Sequence, residues 1–176
     1  MRKRELRWIK PLLLLLCGLG IAGIVRYGSR GELRILNADS GALYAAYPVR
    51  PGERFSVGFI HSVNKSPLID VYEIKADGIY VEETIYYDFG AGVETELAEG
   101  EKLHYGPDGA MIVSGFDRRI TPLSYFVGTV SDHILELHGE RISLRELCGR
   151  SSRVELRYQG NLPLPAAEKC SSGAAA

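Results

Sequence analysis

From Arg54 to Val63 the sequence alternates with a period of two, placing Phe55, Val57, Phe59, His61 and Val63 on one face. Only an extended strand points successive side chains to opposite sides, so this stretch is committed to a sheet with one buried face. The same pattern runs on. Val71–Ala76 and Ile79–Phe89 flank Asp77-Gly78, a pair suited to the positive φ angles of a two-residue turn, and are expected to form a hairpin. Simple alternation puts Ile79, Val81, Glu83, Ile85 and Tyr87 on one side of its second arm, with Tyr80, Glu82, Thr84 and Tyr86 on the other. Leu33–Ala38 and Ala42–Val49 join through Asp39-Ser40-Gly41, and Pro51-Gly52 marks the next turn.

Further strands fit Ala110–Phe116, Tyr125–Val130, Ile134–His138 and Arg153–Tyr158, with a polar stretch from Glu94 to Asp108 between them. Ser143 and Glu146 have the spacing of a capping box, which predicts one short helix from Leu144, closed by Gly149. Strands separated by turns roughly every ten residues predict an all-β fold, a small antiparallel sandwich or open barrel with that one helix. No βαβ spacing and no glycine-rich loop opening a helix occurs, which argues against a nucleotide-binding fold. The formal net charge of −1 argues against a nucleic-acid partner.

The amino terminus follows different rules. Arg2, Lys3, Arg4, Arg7 and Lys10 precede an uncharged run from Pro11 to Val25. A helix satisfies its own backbone in lipid while its apolar side chains gain from burial, so this run reads as a transmembrane or signal helix. The basic head is expected to stay cytoplasmic, which places everything after Arg26 on the extracytoplasmic side. The run is short for a span, and Gly20 and Ala22 offer small residues for cleavage, but no polar break follows them; an uncleaved, single-pass anchor in the cell membrane is favoured. Cys17 lacks the small preceding residue that lipid attachment prefers, since Leu16 stands there. Three parts are therefore expected: residues 1–30 as basic head and membrane segment, 31–160 as the exported β domain, and 161–176 as a flexible tail. Cys148 and Cys170 would both lie outside, where oxidising conditions permit a bridge.

Two local sequences carry the candidate chemistry. The first is His61-Ser62-Val63-Asn64-Lys65-Ser66-Pro67, followed by Asp70 and Glu73; the second is Asp88-Phe89-Gly90-Ala91-Gly92-Val93-Glu94. A histidine on an apolar strand face needs a partner. His61 is either a buried rivet or a member of a binding site with Glu73 or Glu94, as ligands of a divalent ion or as a polar pocket. Gly90, Ala91 and Gly92 permit a tight bend or a nest of backbone N–H groups. Ser62 sits next to His61 and so points to the opposite face, which leaves it without an adjacent base; catalytic residues are not expected, and an exported hydrolase is the least favoured outcome. Candidate binding residues are His61, Ser62, Glu73, Gly90, Ala91, Gly92 and Glu94. No cofactor is called for, and whether a metal binds is left open.

The His-Ser-Val segment in a strand, the acidic residue twelve positions on, and the later Gly-Ala-Gly-x-Glu resemble a bacterial family named domain of unknown function 1850. The resemblance runs from about Leu33 to Tyr158. This chain departs from many relatives after the Gly-Ala-Gly motif, where Val93-Glu94-Thr95-Glu96 replaces proline-containing acidic sequence. Members of that family are typically encoded beside TAXI-type TRAP transporters, which use an extracytoplasmic solute-binding protein and a sodium-driven permease. The resemblance implies a membrane-anchored accessory protein that contacts the transporter's membrane subunits or its solute-binding protein, and it assigns no catalytic residue. An extracytoplasmic metal- or small-ligand-binding sensor domain is the alternative expectation.

Overall fold

The computed structural model describes residues 31–61, 65–87 and 97–160. Eleven strands and one short helix make up these residues: β1 Gly31–Asn37, β2 Leu43–Val49, β3 Arg54–Ile60, β4 Pro67–Lys75, β5 Gly78–Tyr86, β6 Lys102–Tyr105, β7 Met111–Ile120, β8 Leu123–Phe126, β9 His133–Leu137, β10 Glu140–Ser143, α1 Leu144–Cys148 and β11 Arg153–Gly160. Two antiparallel sheets form, a small one in the order β2-β1-β11-β8 and a large one in the order β10-β9-β3-β4-β5-β7-β6. Neither closes on itself, so of the two expected forms the chain takes the sandwich. The expected amino-terminal membrane helix, within residues 1–30, and the expected flexible tail, 161–176, lie outside the described residues.

The inner faces obey the alternation. Leu33 and Ile35 from β1, with Val154 and Leu156 from β11, pack in one buried cluster with Phe55 and Val57 of β3, Tyr72 and Ile74 of β4, and Leu135 and Leu137 of β9. Leu144 and Cys148 of α1 join this cluster. The helix begins as its sequence dictates: the Glu146 N–H donates to the Ser143 hydroxyl at 3.0 Å, and the Gly149 N–H, at φ +88°, donates back to the Arg145 carbonyl at 2.9 Å. Cys148 is a free, buried thiol, and burial pushes its pKa up to about 11.

The structure differs from the sequence expectation at three places. A bulge at Glu82 shifts the register of β5 against β4, so that Val71 pairs with Glu83 and Tyr72 with Val81. The extra residue reverses the faces beyond it: Ile79, Val81 and Thr84 are buried, whereas Glu83 and Ile85 are not. Lys75 ties this bulge to a matching irregularity in β7, meeting Glu82 at 2.9 Å and also the Asp117 carboxylate. The His138-Gly139 pair, with φ +55° and +79°, makes a tight hairpin turn that adds β10 where only β9 was expected. Inside the supposed polar stretch, Lys102–Tyr105 forms β6, a four-residue edge strand whose residues are all exposed and which therefore lacks alternation.

Leu135 is fully buried between the sheets and Val130 is 90% exposed, although both are aliphatic and close in sequence. Leu135→Ala should lower the unfolding free energy by about 2–5 kcal/mol, whereas Val130→Ala should change it by no more than about 0.5 kcal/mol. Urea titration of the two variants checks the assignment of the inner face.

Candidate functional site

β3 runs through the middle of the large sheet with two unlike faces. Its inner side chains, Phe55 and Val57, close the core, while Ser56, Gly58 and Ile60 face outward. Gly58 pairs with Ile69 on one side and Ile134 on the other. Lacking a side chain, it leaves the outer surface dipped: a Cβ there would stand 3.2 Å from Ile69 Cγ1. The dip is the floor of a cleft of about 760 Å³.

Val130, Ser131 and Asp132, from the β8–β9 connection, form one wall of this cleft. The wall is held by specific bonds. The Ile60 N–H donates to the Ser131 hydroxyl at 2.9 Å, and Arg145 Nη2 donates to the Val130 carbonyl at 3.0 Å. The Asp132 carboxylate accepts from the Ser143 hydroxyl at 2.6 Å and from the Arg145 N–H at 3.1 Å, so its charge is engaged at the start of α1. Across the cleft stand His61, Lys65 and Tyr87. Ile60, Tyr87 and Val130 are exposed by 45%, 42% and 90%, an unusual concentration of large apolar side chains around one depression.

The candidate residues from sequence separate into three groups. His61 lines the cleft and is half-buried, just past the end of β3. Its backbone closes a turn, with the His61 N–H donating to the Ser66 carbonyl and the Lys65 N–H donating to the His61 carbonyl, both at 2.9 Å. Ser62, Gly90, Ala91, Gly92 and Glu94 lie outside the described residues. Tyr87, the last described residue before the second motif, nevertheless lines the same cleft as His61. Glu73 does not join them. It pairs in register with Arg54, whose Nε lies 3.5 Å from its carboxylate, whereas the turn at His61 follows the Ile60–Pro67 pair six positions along. That is roughly 20 Å of strand. Antiparallel strands carry residues farther from their turn with each step, so the twelve-residue spacing separates Glu73 from His61. The expected contact between those two does not form.

A second polar group, which the sequence reading passed over, lies on the inner side of the same strands. Asp70 shares the inner face of β4 with Tyr72 and Ile74. Its carboxylate accepts from the Thr84 hydroxyl at 2.8 Å and, more weakly, from the Tyr72 hydroxyl at 3.4 Å. The Tyr72 and Tyr125 hydroxyls meet at 2.5 Å, which carries the chain of bonds from the large sheet to β8 in the small one. Tyr125 packs against the His133 ring, and His133 against Phe59, with centroids 5.4 and 4.8 Å apart. Phe59 in turn lines the cleft. Burial pushes both phenols up and the imidazole of His133 down, so all three are neutral at pH 7. The period-two spacing of Asp70, Tyr72 and Ile74 was the available signal for a carboxylate between the sheets.

The comparisons with known proteins agree with this geography. The family model described as Domain of unknown function (DUF1850) matches residues 55–144, just over half of the chain. The chain belongs to the DUF1850 family. The matched stretch begins on β3 and ends on the first residue of α1, so it takes in the large sheet, the cleft and Asp70. In this DUF1850 chain the strands β1, β2 and β11, which cover the inner face of that sheet, lie outside the match. No curated protein and no solved structure matches the chain.

Asp70 predicts a pH-dependent stability for the DUF1850 domain. Burial raises its pKa above the ordinary 3.8, against the opposing hydrogen bonds from Thr84 and Tyr72. A raised carboxyl favours the protonated folded form, so its contribution is fully present below the unfolded pKa and is lost as pH rises through the folded one. Asp70→Asn, which cannot ionise, should therefore gain on the wild type as pH rises from about 4 to about 7. Asp70→Ala should instead lose about 1–3 kcal/mol through the orphaned hydroxyls. Denaturant midpoints measured across that pH range check both signs.

Proposed function

We propose that the protein is a membrane-anchored, extracytoplasmic accessory protein of a TRAP-type (TAXI) solute transporter, acting by protein–protein interaction and not by catalysis. The observation that carries the interaction is the cleft on the outer face of the large sheet. It combines a preformed apolar floor with projecting Ile60, Tyr87 and Val130, the composition of a contact surface. The cleft adjoins both sequence motifs that distinguish the family, through His61 on one side and Tyr87 on the other. The transporter association is supported by the family resemblance. The basic head and apolar run of residues 1–30 support the anchor, which would raise the local concentration of the domain near a membrane-bound partner.

The second reading, an extracytoplasmic sensor of a small ligand, is favoured by the cleft volume, since about 760 Å³ falls within the usual range for small-molecule sites. A metal has less support from the described residues, among which no group of three or more His, Cys, Asp or Glu side chains is placed to hold one.

Ile60 separates the interaction from the fold. It is exposed and its side chain is not part of the core, so Ile60→Glu should leave stability within about 0.5 kcal/mol. Captured from native membranes, the wild-type protein should bring down the transporter's membrane subunits or its solute-binding protein, and Ile60→Glu should bring down at least about tenfold less, or about 1.4 kcal/mol of binding. Equal capture by both would remove the cleft from the interface, and capture of neither transporter component would sink the accessory role. Protease added to spheroplasts should cleave within residues 31–160; full protection there would end the extracytoplasmic assignment.

A further inference from the structure

The wall of the cleft hangs on a histidine. Val130, Ser131 and Asp132 lead directly into His133, the first residue of β9. Its side chain is 8% exposed, and its ring lies between that of Phe59 on β3 at 4.8 Å and that of Tyr125 on β8 at 5.4 Å. The stack joins the strand that precedes the wall and the strand that follows it to the central strand of the large sheet. The other ties of the wall are weaker. The Ile60–Ser131 and Arg145–Val130 hydrogen bonds are both exposed, and such bonds exchange for bonds to water at small net cost.

His133 suits this place as long as it is neutral. Among the described residues its Nδ1 is buried without a hydrogen-bond partner. A neutral ring can keep its proton on Nε2 and leave Nδ1 a bare lone pair, but both nitrogens of an imidazolium are donors. Protonation would therefore bury an unmet N–H together with a charge. The surrounding groups offer little relief. β3 presents the Phe59 ring, and β8 presents the neutral Tyr125, whose hydroxyl is committed to Tyr72 and through it to Asp70 on β4. α1 presents Arg145, a like charge. Asp132, the preceding residue, is a carboxylate, but its oxygens are engaged by the Ser143 hydroxyl and the Arg145 N–H. Burial lowers the His133 pKa, and Arg145 acts in the same direction against the opposing pull of Asp132.

We propose that His133 is an acid-released latch: neutral, it holds the Val130–Asp132 wall against β3; protonated, it leaves the stack for water and the wall moves off the cleft. That the latch regulates binding rests on the cleft interaction proposed above. The shut form has the depressed pKa and the open form the ordinary one. The advantage of the shut form is thus fully present above the ordinary 6.5 and is lost as pH falls through the shut-form value.

The test uses the full chain in detergent micelles, in a Cys17→Ser, Cys170→Ser background whose remaining Cys148 is buried. Isotope-labelled histidine gives the His133 titration by nuclear magnetic resonance, and an environment-sensitive fluorophore on Val130→Cys reports the wall. Between about pH 7 and about pH 5 the wall signal should change with the midpoint of His133, itself below 6.5. His133→Phe keeps a ring in the stack and cannot take a proton, so its wall should stay in place across that range. A His133 midpoint at or above the ordinary value, a flat wall signal while His133 titrates, or a transition that survives in His133→Phe would each overturn the latch. So would a transition that disappears in His61→Gln, which removes the other imidazole at the cleft. A transition shared by a fluorophore on Arg50→Cys, beside the Val49–Gly31 pair at the other end of the sandwich, would mark unfolding of the domain and overturn it too. Capture from native membranes then tests the regulation. The wild type should bring down transporter components at least about fivefold less at about pH 5 than at about pH 7, and His133→Phe equally at both. Equal capture by the wild type overturns the regulation. Capture of no transporter component at about pH 7 overturns the accessory role, and the latch then stands or falls on the fluorescence.

Discussion

The burial of the inner face of β3 is the constraint on which the rest of the domain depends. Phe55 and Val57 lie at the centre of the large sheet, and covering them calls for a second layer, supplied by β1 and β11 through Leu33, Ile35, Val154 and Leu156. A strand fixed by one face has its other face fixed too, because a slip of one residue would exchange them. The outward Ser56, Gly58 and Ile60 are thus placed by the core rather than by contacts of their own. The cleft floor is the reverse side of a central strand whose register the core specifies.

What the sequence made legible follows from this. Wherever a strand has one wet and one dry side, alternation reveals it, and β1, β2, β3 and the β4–β5 hairpin are plain. Alternation fails where the ladder itself is irregular. At Glu82 a bulge adds one residue, and the face of Thr84 cannot be read without knowing it is there. It fails again for β6, which has no dry side, and for β10, whose turn depends on positive φ at His138, a conformation uncommon outside glycine. The site was half legible for a related reason. His61 and the segment after Tyr87 stood out because polar or glycine-rich sequence interrupts a strand pattern. The cleft between them did not, because its floor is built from Gly58, Ile69 and Ile134, residues that read as ordinary strand. Linking Glu73 to His61 failed because sequence spacing was taken for proximity along a strand leading away from the turn.

Asp70 runs against the logic of the core around it. A carboxylate between two sheets with no cation beside it among the described residues is costly, and its hydrogen bonds to Thr84 and Tyr72 offset only part of that cost. The arrangement it imposes is specific: Tyr72 must present its hydroxyl toward Asp70 and Tyr125, which fixes where β8 crosses the large sheet. β8 leads directly into the Val130–Asp132 wall of the cleft, and Phe59 joins the two regions through its stack on His133. A buried polar chain of this kind selects one packing of the sheets over others that apolar contacts alone would tolerate, at some expense in stability.

The same topology explains why the cleft can be free. Gly31 and Gly160 are register partners, so both ends of the described domain leave it together. The segments beyond them, including the apolar run, therefore start from one end of the sandwich. The opposite end keeps the His61–Ser66 turn, the β8–β9 connection and α1. These are the parts in which insertions and irregular backbone are tolerated without disturbing strand pairing. The His61 turn and the wall at Val130 both belong to that end, while their positions are set by β3 and by Asp132 at the head of α1. A floor set by the core, with adaptable edges at the end away from Gly31 and Gly160, is the arrangement by which a small domain presents one surface outward.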